Sequence, residues 1–144
     1  MTYATTVEEI LGGKKARPKK IQSRMDFIEL SNKGITKEAL LRLAAYLSIS
    51  MRQLAEVLPV TERTIQRYAP KKHFNRVVSE QILQLAEIAA RGSEVFMSRE
   101  KFLHYMNMPS KALADKTPLS LIHSKFGAEM VLDELGRIEH GVFS

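Results

Sequence analysis

A serine and a lysine, Ser98 and Lys101, fit the S-x-x-K spacing in which a lysine activates a nucleophilic serine. The S-D-N and K-T-G elements that support this chemistry are absent, and 144 residues are too few for that fold. The histidines are too scattered for a metal pair one helical turn apart, and the sequence contains no cysteine. They are His73, His104, His123 and His140. The sequence therefore predicts no catalytic centre, metal site or cofactor.

The side chains with the clearest binding chemistry lie in residues 51–68, MRQLAEVLPVTERTIQRY. Apolar residues at helical spacing predict two short helices, separated where Pro59 cannot continue the first one. Thr61 stands at the N-cap position of the second helix, and Ile65 and Tyr68 form its apolar side. Long hydrogen-bonding side chains cover the other side: Glu62, Arg63, Gln66 and Arg67. This pattern predicts a helix–turn–helix with a DNA recognition helix.

The pattern resembles the helix–turn–helix of the Xre-like, phage-repressor-type regulators, with small Ala55 where the helices cross and Val60 after the turn. Pro59 departs from the glycine that the turn usually carries. We expect these residues to face the major groove: Glu62, Arg63, Thr64, Gln66 and Arg67. Thr61, at the N-cap, is counted with them as a DNA-binding residue. We expect Arg52, Lys71 and Lys72 to hold phosphates. The alternative is an ordinary helical hairpin whose polar face is merely solvated.

Charge is unevenly distributed along the chain, whose net charge is +6. Residues 1–78 contain 15 Lys and Arg against 7 Asp and Glu, whereas residues 79–144 contain 7 against 9. The basic half is the half with the helix–turn–helix, as expected if cations there displace counterions from DNA. No apolar run is long enough to span a membrane, and no hydrophobic signal core is present, so we expect a cytoplasmic protein.

The order of apolar faces and caps predicts an all-α chain with three parts. Residues 1–20 carry the basic run KKARPKK and are expected to form a flexible arm, apart from one possible helical turn before Gly12. Residues 21–78 are expected to form a bundle of four short helices, of which the last two are the helix–turn–helix. Thr36 and Ser50 are expected to start the second and third of these helices. Residues 79–144 are expected to form a second, small helical domain.

Within that second domain, local signals predict four helices. Ser79 is expected to cap the first and Gly92 to end it. Ser98 and Thr117-Pro118 mark the next two starts. The last helix is expected from Phe126 to about His140, closed by Gly141.

The second domain resembles the C-terminal domain of the Xre/MbcA/ParS-type antitoxins. Lys116-Thr117-Pro118-Leu119 matches the family's G-x-T-P-L-x-L step without its glycine, and Tyr105-Met106 stands where a Trp-Leu pair is common. The most specific similarity is Gly127 followed by an apolar series and His140-Gly141-Val142. The resemblance implies a dimer formed through these domains and a partner RES-domain toxin that degrades NAD⁺. It also implies that the antitoxin occludes the toxin's active site and represses its own promoter.

We assign toxin binding to Gly127 and to the end of the chain, where charges lie beside an apolar tip. The residues are Arg137, Glu139, His140, Gly141, Val142, Phe143 and Ser144. The alternative is that Ile138, Val142 and Phe143 only close the core of their own domain. For the whole chain, the alternative function is a helical transcriptional regulator or protein-interaction adaptor without a toxin partner.

Overall fold

The computed structural model describes residues 6–12 and 23–143, and within these ranges the chain is helical, with no strand. The first helices are α1 (Val7–Gly12), α2 (Arg24–Lys33), α3 (Lys37–Leu47), α4 (Met51–Val57) and α5 (Glu62–Arg67). They are followed by α6 (Arg76–Phe96), α7 (Arg99–Met106), a 3₁₀ turn (Lys111–Leu113), α8 (Pro118–Leu121) and α9 (Lys125–Phe143). The predicted all-α class is confirmed. None of the described helices is long and apolar enough to cross a membrane.

Two compact units divide the chain, and their boundary lies between Ala86 and Glu87. This boundary falls inside α6, which runs without interruption from Arg76 to Phe96. The first half of α6 supplies Ile82 and Leu85 to the N-terminal core, and its second half supplies Ile88 and Ala89 to the C-terminal unit. A helix shared by two cores gives no turn signal at their border.

The N-terminal unit is built around α3 and α4, whose side chains Leu40, Leu43 and Leu54 are completely buried. Helix α1 packs on α3 through Val7, Ile10 and Leu11. Residues 7–12, where the sequence allows one helical turn, thus form a helix whose apolar side is buried. The basic run from Lys14 to Lys20 lies outside the described residues.

Side-chain caps place most helix starts where the sequence predicts them. Thr36, Ser50, Thr61, Ser98 and Thr117 each accept a backbone hydrogen bond from the first turn of the following helix. Gly34 ends α2 with a φ of 95°, a value that suits a residue without a Cβ. These local interactions define the four short helices of residues 24–67.

Ser79 does not cap α6, contrary to prediction. The helix begins three residues earlier, and the Asn75 side chain accepts the hydrogen bond of the Val78 N–H. Ser79 lies buried within α6, where its hydroxyl accepts from the Ile35 N–H at 2.8 Å and donates to the Phe74 carbonyl. The hydroxyl thus ties α6 to the segment before α3.

Gly92 does not end α6 either. The helix continues to Phe96, and the glycine instead makes room for Phe102 of α7. A Cβ on Gly92 would lie 2.1 Å from the Phe102 ring. Gly141 likewise fails to end α9, which reaches Phe143, so Val142 and Phe143 belong to the helix and not to a tail. In local sequence, a packing glycine such as Gly92 and a capping glycine look alike.

Candidate functional site

The turn between α4 and α5 forms without glycine. Leu58 is extended and buried, its N–H donates to the Leu54 carbonyl, and the Val60 N–H donates to the Leu58 carbonyl at 2.8 Å. Thr61 then starts α5, and no residue from 58 to 61 has a positive φ. Pro59 is therefore compatible with the turn, and α5 remains in contact with α4. Ile65 anchors α5 and is completely buried.

The polar side of α5 faces outward. Arg63, Gln66 and Arg67 are exposed, and Glu62 and Thr64 are half-buried. The Thr61 hydroxyl is engaged locally, since it accepts from the Thr64 N–H and donates to the Thr64 hydroxyl at 2.9 Å. Arg52 of α4 is exposed as well. The structure thus leaves three long side chains of α5 available to a partner, and it uses the two threonines to start the helix.

A lysine that the sequence did not single out holds the other end of α5. The Lys37 ammonium, at the start of α3, donates to the Tyr68 carbonyl at 2.8 Å and to the Gln66 carbonyl at 3.3 Å. Gln66 lies in the last turn of α5 and Tyr68 is its C-cap residue, and a cation at this end is favoured by the helix dipole. Lys37 therefore fixes α5 against α3.

The segment after α5 carries two exposed cations, Lys71 and Lys72. The Lys72 ammonium lies 5.2 Å from the centre of the Tyr68 ring, and that ring stacks on Phe74 at 4.9 Å. The backbone of this segment is held by α3, whose Lys37 and Glu38 N–H groups donate to the carbonyls of Lys72 and Pro70. Both lysines thus lie directly after α5, in a segment whose backbone is hydrogen-bonded to the start of α3.

In the C-terminal unit, Gly127 has an internal role. It is buried, and a Cβ built on it would lie 1.8 Å from the Leu121 carbonyl oxygen at the end of α8. Its N–H donates to the Ser124 hydroxyl at 2.9 Å. Gly127 therefore approaches another backbone within the unit itself. Its contact with a toxin stays a prediction.

The charged residues near the end of α9 fall into two groups. Glu139 is half-buried and pairs with Arg91 of α6 at 2.6 Å, and Arg91 also bonds Glu94. The hydrogen bond with Glu139 is the main cause that raises the pKa of Arg91 above its ordinary value. Arg137 and His140 are exposed, as is Gly141. Ser144 lies outside the described residues, and the side chains of Val142 and Phe143 are not described.

Replacing Arg91 by methionine is expected to loosen the last turns of α9. The variant keeps an unbranched apolar stem and removes the charge that holds Glu139. Because both partners are partly exposed, we expect a loss of about 1 kcal/mol in the free energy of unfolding. Backbone amides of residues 139–143 are expected to exchange faster with solvent, whereas amides near Val131 keep their protection. Unchanged exchange after residue 138 would contradict an anchoring role for this ion pair.

Tyr105 of α7 has a buried hydroxyl that makes no hydrogen bond within the described part of the chain. Its ring packs on Phe96 with the centres 5.1 Å apart. Burial, with a smaller effect of the Glu134 charge, raises the pKa of Tyr105 to about 12. The folded protein therefore retains this proton at a pH where the unfolded chain releases it.

Replacing Tyr105 by phenylalanine is expected to raise the free energy of unfolding by about 1 kcal/mol, because a buried unpaired hydroxyl is removed and the ring contact is kept.

The same substitution is expected to change how the free energy of unfolding depends on pH. With a raised pKa in the folded state, stability contributed by Tyr105 is present below pH 10 and is lost as the pH rises toward 12. Urea unfolding at pH 8, 10 and 11 is expected to show a smaller alkaline loss for the variant than for the wild type. Equal losses would contradict this assignment.

Taken together, these features define a helix–turn–helix protein with a second helical unit. Comparison with known families gives the class of each part. Residues 26–87 match the antitoxin Xre-like helix-turn-helix domain, and residues 91–141 match the antitoxin Xre/MbcA/ParS C-terminal toxin-binding domain. The chain belongs to the Xre/MbcA/ParS family of antitoxins, as predicted from its sequence.

Individual relatives agree with this assignment. The chain is 26% identical over 113 residues to an antitoxin Xre of Yersinia enterocolitica. The aligned region covers 77% of this chain and 76% of that protein. It is 29% identical over 80 residues to an antitoxin Xre of Photorhabdus laumondii. That aligned region covers 55% of this chain and 54% of the relative. A chain of the M. tuberculosis MbcT–MbcA toxin–antitoxin complex has the same fold, with a TM-score of 0.56 at 18% identity. That match covers 75% of this chain and 96% of the other.

Proposed function

We propose that this antitoxin neutralises a RES-domain toxin that degrades NAD⁺, and that it does so by placing the C-terminal end of α9 in the toxin's active site. The observation that carries the proposal is the exposure of Arg137 and His140 at the end of a long helix whose inner face is buried. A rigid helix end loses less conformational freedom on binding than a loose tail does.

The Arg137 guanidinium is supported from within the unit. Its Nε and one terminal nitrogen donate to the two oxygens of Glu134, at 2.9 and 2.6 Å. Glu134 is buried, whereas the Arg137 side chain is 68% exposed. A forked pair of this kind orients the guanidinium and leaves its outer edge toward solvent. We assign Glu139, in contrast, to holding α9 in place through Arg91.

The test is binding to the protein encoded by the adjacent reading frame. We expect the two proteins to co-purify and the complex to hydrolyse NAD⁺ far more slowly than the partner alone. Replacing Arg137 and His140 together by alanine is expected to weaken inhibition, whereas Glu80→Ala, an exposed substitution in α6, leaves it intact. A partner that lacks NAD⁺-degrading activity, or inhibition that is unchanged by the double substitution, would contradict the proposal.

We also propose that the antitoxin represses its own operon as a dimer. The exposed Arg63, Gln66 and Arg67 are suited to base edges, and Arg52, Lys71 and Lys72 to phosphates. A twofold dimer presents two α5 helices about one DNA turn apart, or a multiple of that, which corresponds to a palindromic operator. Footprinting on the operon's promoter is expected to reveal two symmetric half-sites. A single asymmetric footprint would contradict the dimeric arrangement.

A further inference from the structure

The outward face of α9 carries exposed apolar residues well before the helix end. Phe126 is 78% exposed and Met130, one turn later, is 45% exposed. Asp133, Arg137 and His140 continue the same face at helical spacing, and all three are exposed. We call these five residues the outer face of α9. It combines an apolar half near the start of the helix with a charged half near its end.

The apolar half of this face lies outside the core of the unit, since Phe126 and Met130 are exposed. The opposite side of α9 supplies the core contacts through Ala128, Val131 and Leu135, each completely buried. The start of the helix is fixed by Ser124 and by the close approach of Gly127 to Leu121. Phe126 and Met130 therefore remain in solvent on a helix that is already anchored, where burying each of them would be favourable.

The composition of this face is that of a binding surface. Aromatic residues, methionine and arginine are the residue types enriched at protein–protein interfaces, and arginine and aromatic residues dominate their hot spots. Here one of each lies on a single helical face. Arg137 is held in place by buried Glu134, so it is presented in a fixed orientation. A partner suited to this surface has an apolar groove with an acidic group at one end.

We infer that the toxin docks along the outer face of α9, with Phe126 and Met130 as its apolar anchors, and not at the helix end alone. This inference rests on the proposed function. The family match to a toxin-binding domain spans residues 91–141 and so includes this whole face. From Phe126 to Arg137 the helix rises about 16 Å, which lies within the width of one interface of standard size. A single toxin surface therefore reaches both halves of the face.

The experiment compares two double variants of the full-length chain. Phe126→Ser with Met130→Ser removes the anchors. Ile28→Ser with Val77→Ser is the matched control, because these residues are 52% and 50% exposed and lie in the N-terminal unit. Calorimetric titration with the purified product of the adjacent reading frame is expected to give a Kd at least about 30-fold weaker for the anchor variant. The control is expected to stay within about threefold of the wild type.

Light scattering measures the oligomeric state of each variant, and thermal unfolding measures its Tm. We expect the anchor variant to keep the wild-type Tm and the wild-type oligomeric state, since both residues are exposed. An unchanged Kd would overturn the inference. Dissociation of the antitoxin's own oligomer with an unchanged Kd would also overturn it, and would assign the face to a second copy of this chain. If instead the wild type itself does not bind, or if Arg137→Ala/His140→Ala leaves inhibition intact, the failure is that of the proposed function.

Discussion

Replacing Gly127 by alanine is expected to destabilise the C-terminal unit by about 3 kcal/mol or more, at the upper end of the effect of overpacking. The added Cβ would lie 1.8 Å from the Leu121 carbonyl oxygen and 2.7 Å from its carbonyl carbon. Both atoms are backbone, so relief requires α8 and α9 to separate. Because α9 carries Val131 and Leu135 into the core, that separation disturbs the whole unit. The midpoint of urea unfolding, followed by circular dichroism, measures the effect.

Gly136 provides the matched control on the same helix. A Cβ at this position meets nothing within 4 Å, and the residue lies inside α9. Alanine is favoured over glycine in a helix by roughly 0.5–1 kcal/mol, so Gly136→Ala is expected to raise stability by about that amount. Equal stability of the two variants would contradict the internal packing role of Gly127.

The second large effect is expected at α5. Replacing Arg63, Gln66 and Arg67 together by alanine should weaken binding to the operon's promoter by about 100-fold or more, because each base contact contributes about 1–3 kcal/mol of discrimination. All three side chains are exposed, so the fold is expected to persist. Fluorescence anisotropy with promoter DNA and with unrelated DNA, at one fixed salt concentration, separates specific from non-specific affinity. The triple variant is expected to bind both alike.

Lys71→Ala is the comparison for this prediction. A phosphate contact carries no sequence information, so its loss is expected to lower affinity for promoter and unrelated DNA equally. It should also reduce the slope of log K against log salt by about one. A triple variant that still prefers the promoter would contradict the proposed role of α5 as the recognition helix.

Helix starts in this chain can be predicted from sequence because they depend on short-range hydrogen bonds. Thr36, Ser50, Thr61, Ser98 and Thr117 act on backbone groups three residues away, and each caps the predicted helix. The helix–turn–helix follows from the same signals, together with the periodic burial of Leu54, Leu58 and Ile65. Local chemistry and global packing agree in this part of the molecule.

The errors arise where a residue's partner is distant in sequence. Ser79 looks like a cap, but its hydroxyl accepts from an N–H 44 residues away. Gly92 looks like a helix end, but it accommodates the ring of Phe102 on the next helix. Neither partner can be inferred from neighbouring residues.

The candidate site has the same limit. The polar face of α5 could be predicted, because helical spacing alone separates Arg63 and Gln66 from Ile65. The Lys37 contact to the end of α5 could not, since it joins residues 31 positions apart. Glu139 and Arg137 look equivalent in sequence, yet Glu139 is paired with Arg91 of another helix. Arg137 is paired with Glu134 of its own helix and keeps most of its side chain in solvent. Only the packing of α9 against α6 distinguishes an anchoring charge from an available one.

Deletion of residues 137–144 tests most directly whether the end of α9 neutralises the toxin. Leu135 is the last residue of described α9 that lies fully in the core, so the shortened chain is expected to fold and to bind its promoter. The measurement is the rate of NAD⁺ hydrolysis by the purified partner with either form of the antitoxin. We predict that the full chain suppresses hydrolysis and that the shortened chain leaves it near the rate of the free partner. Complete suppression by the shortened chain would contradict the account.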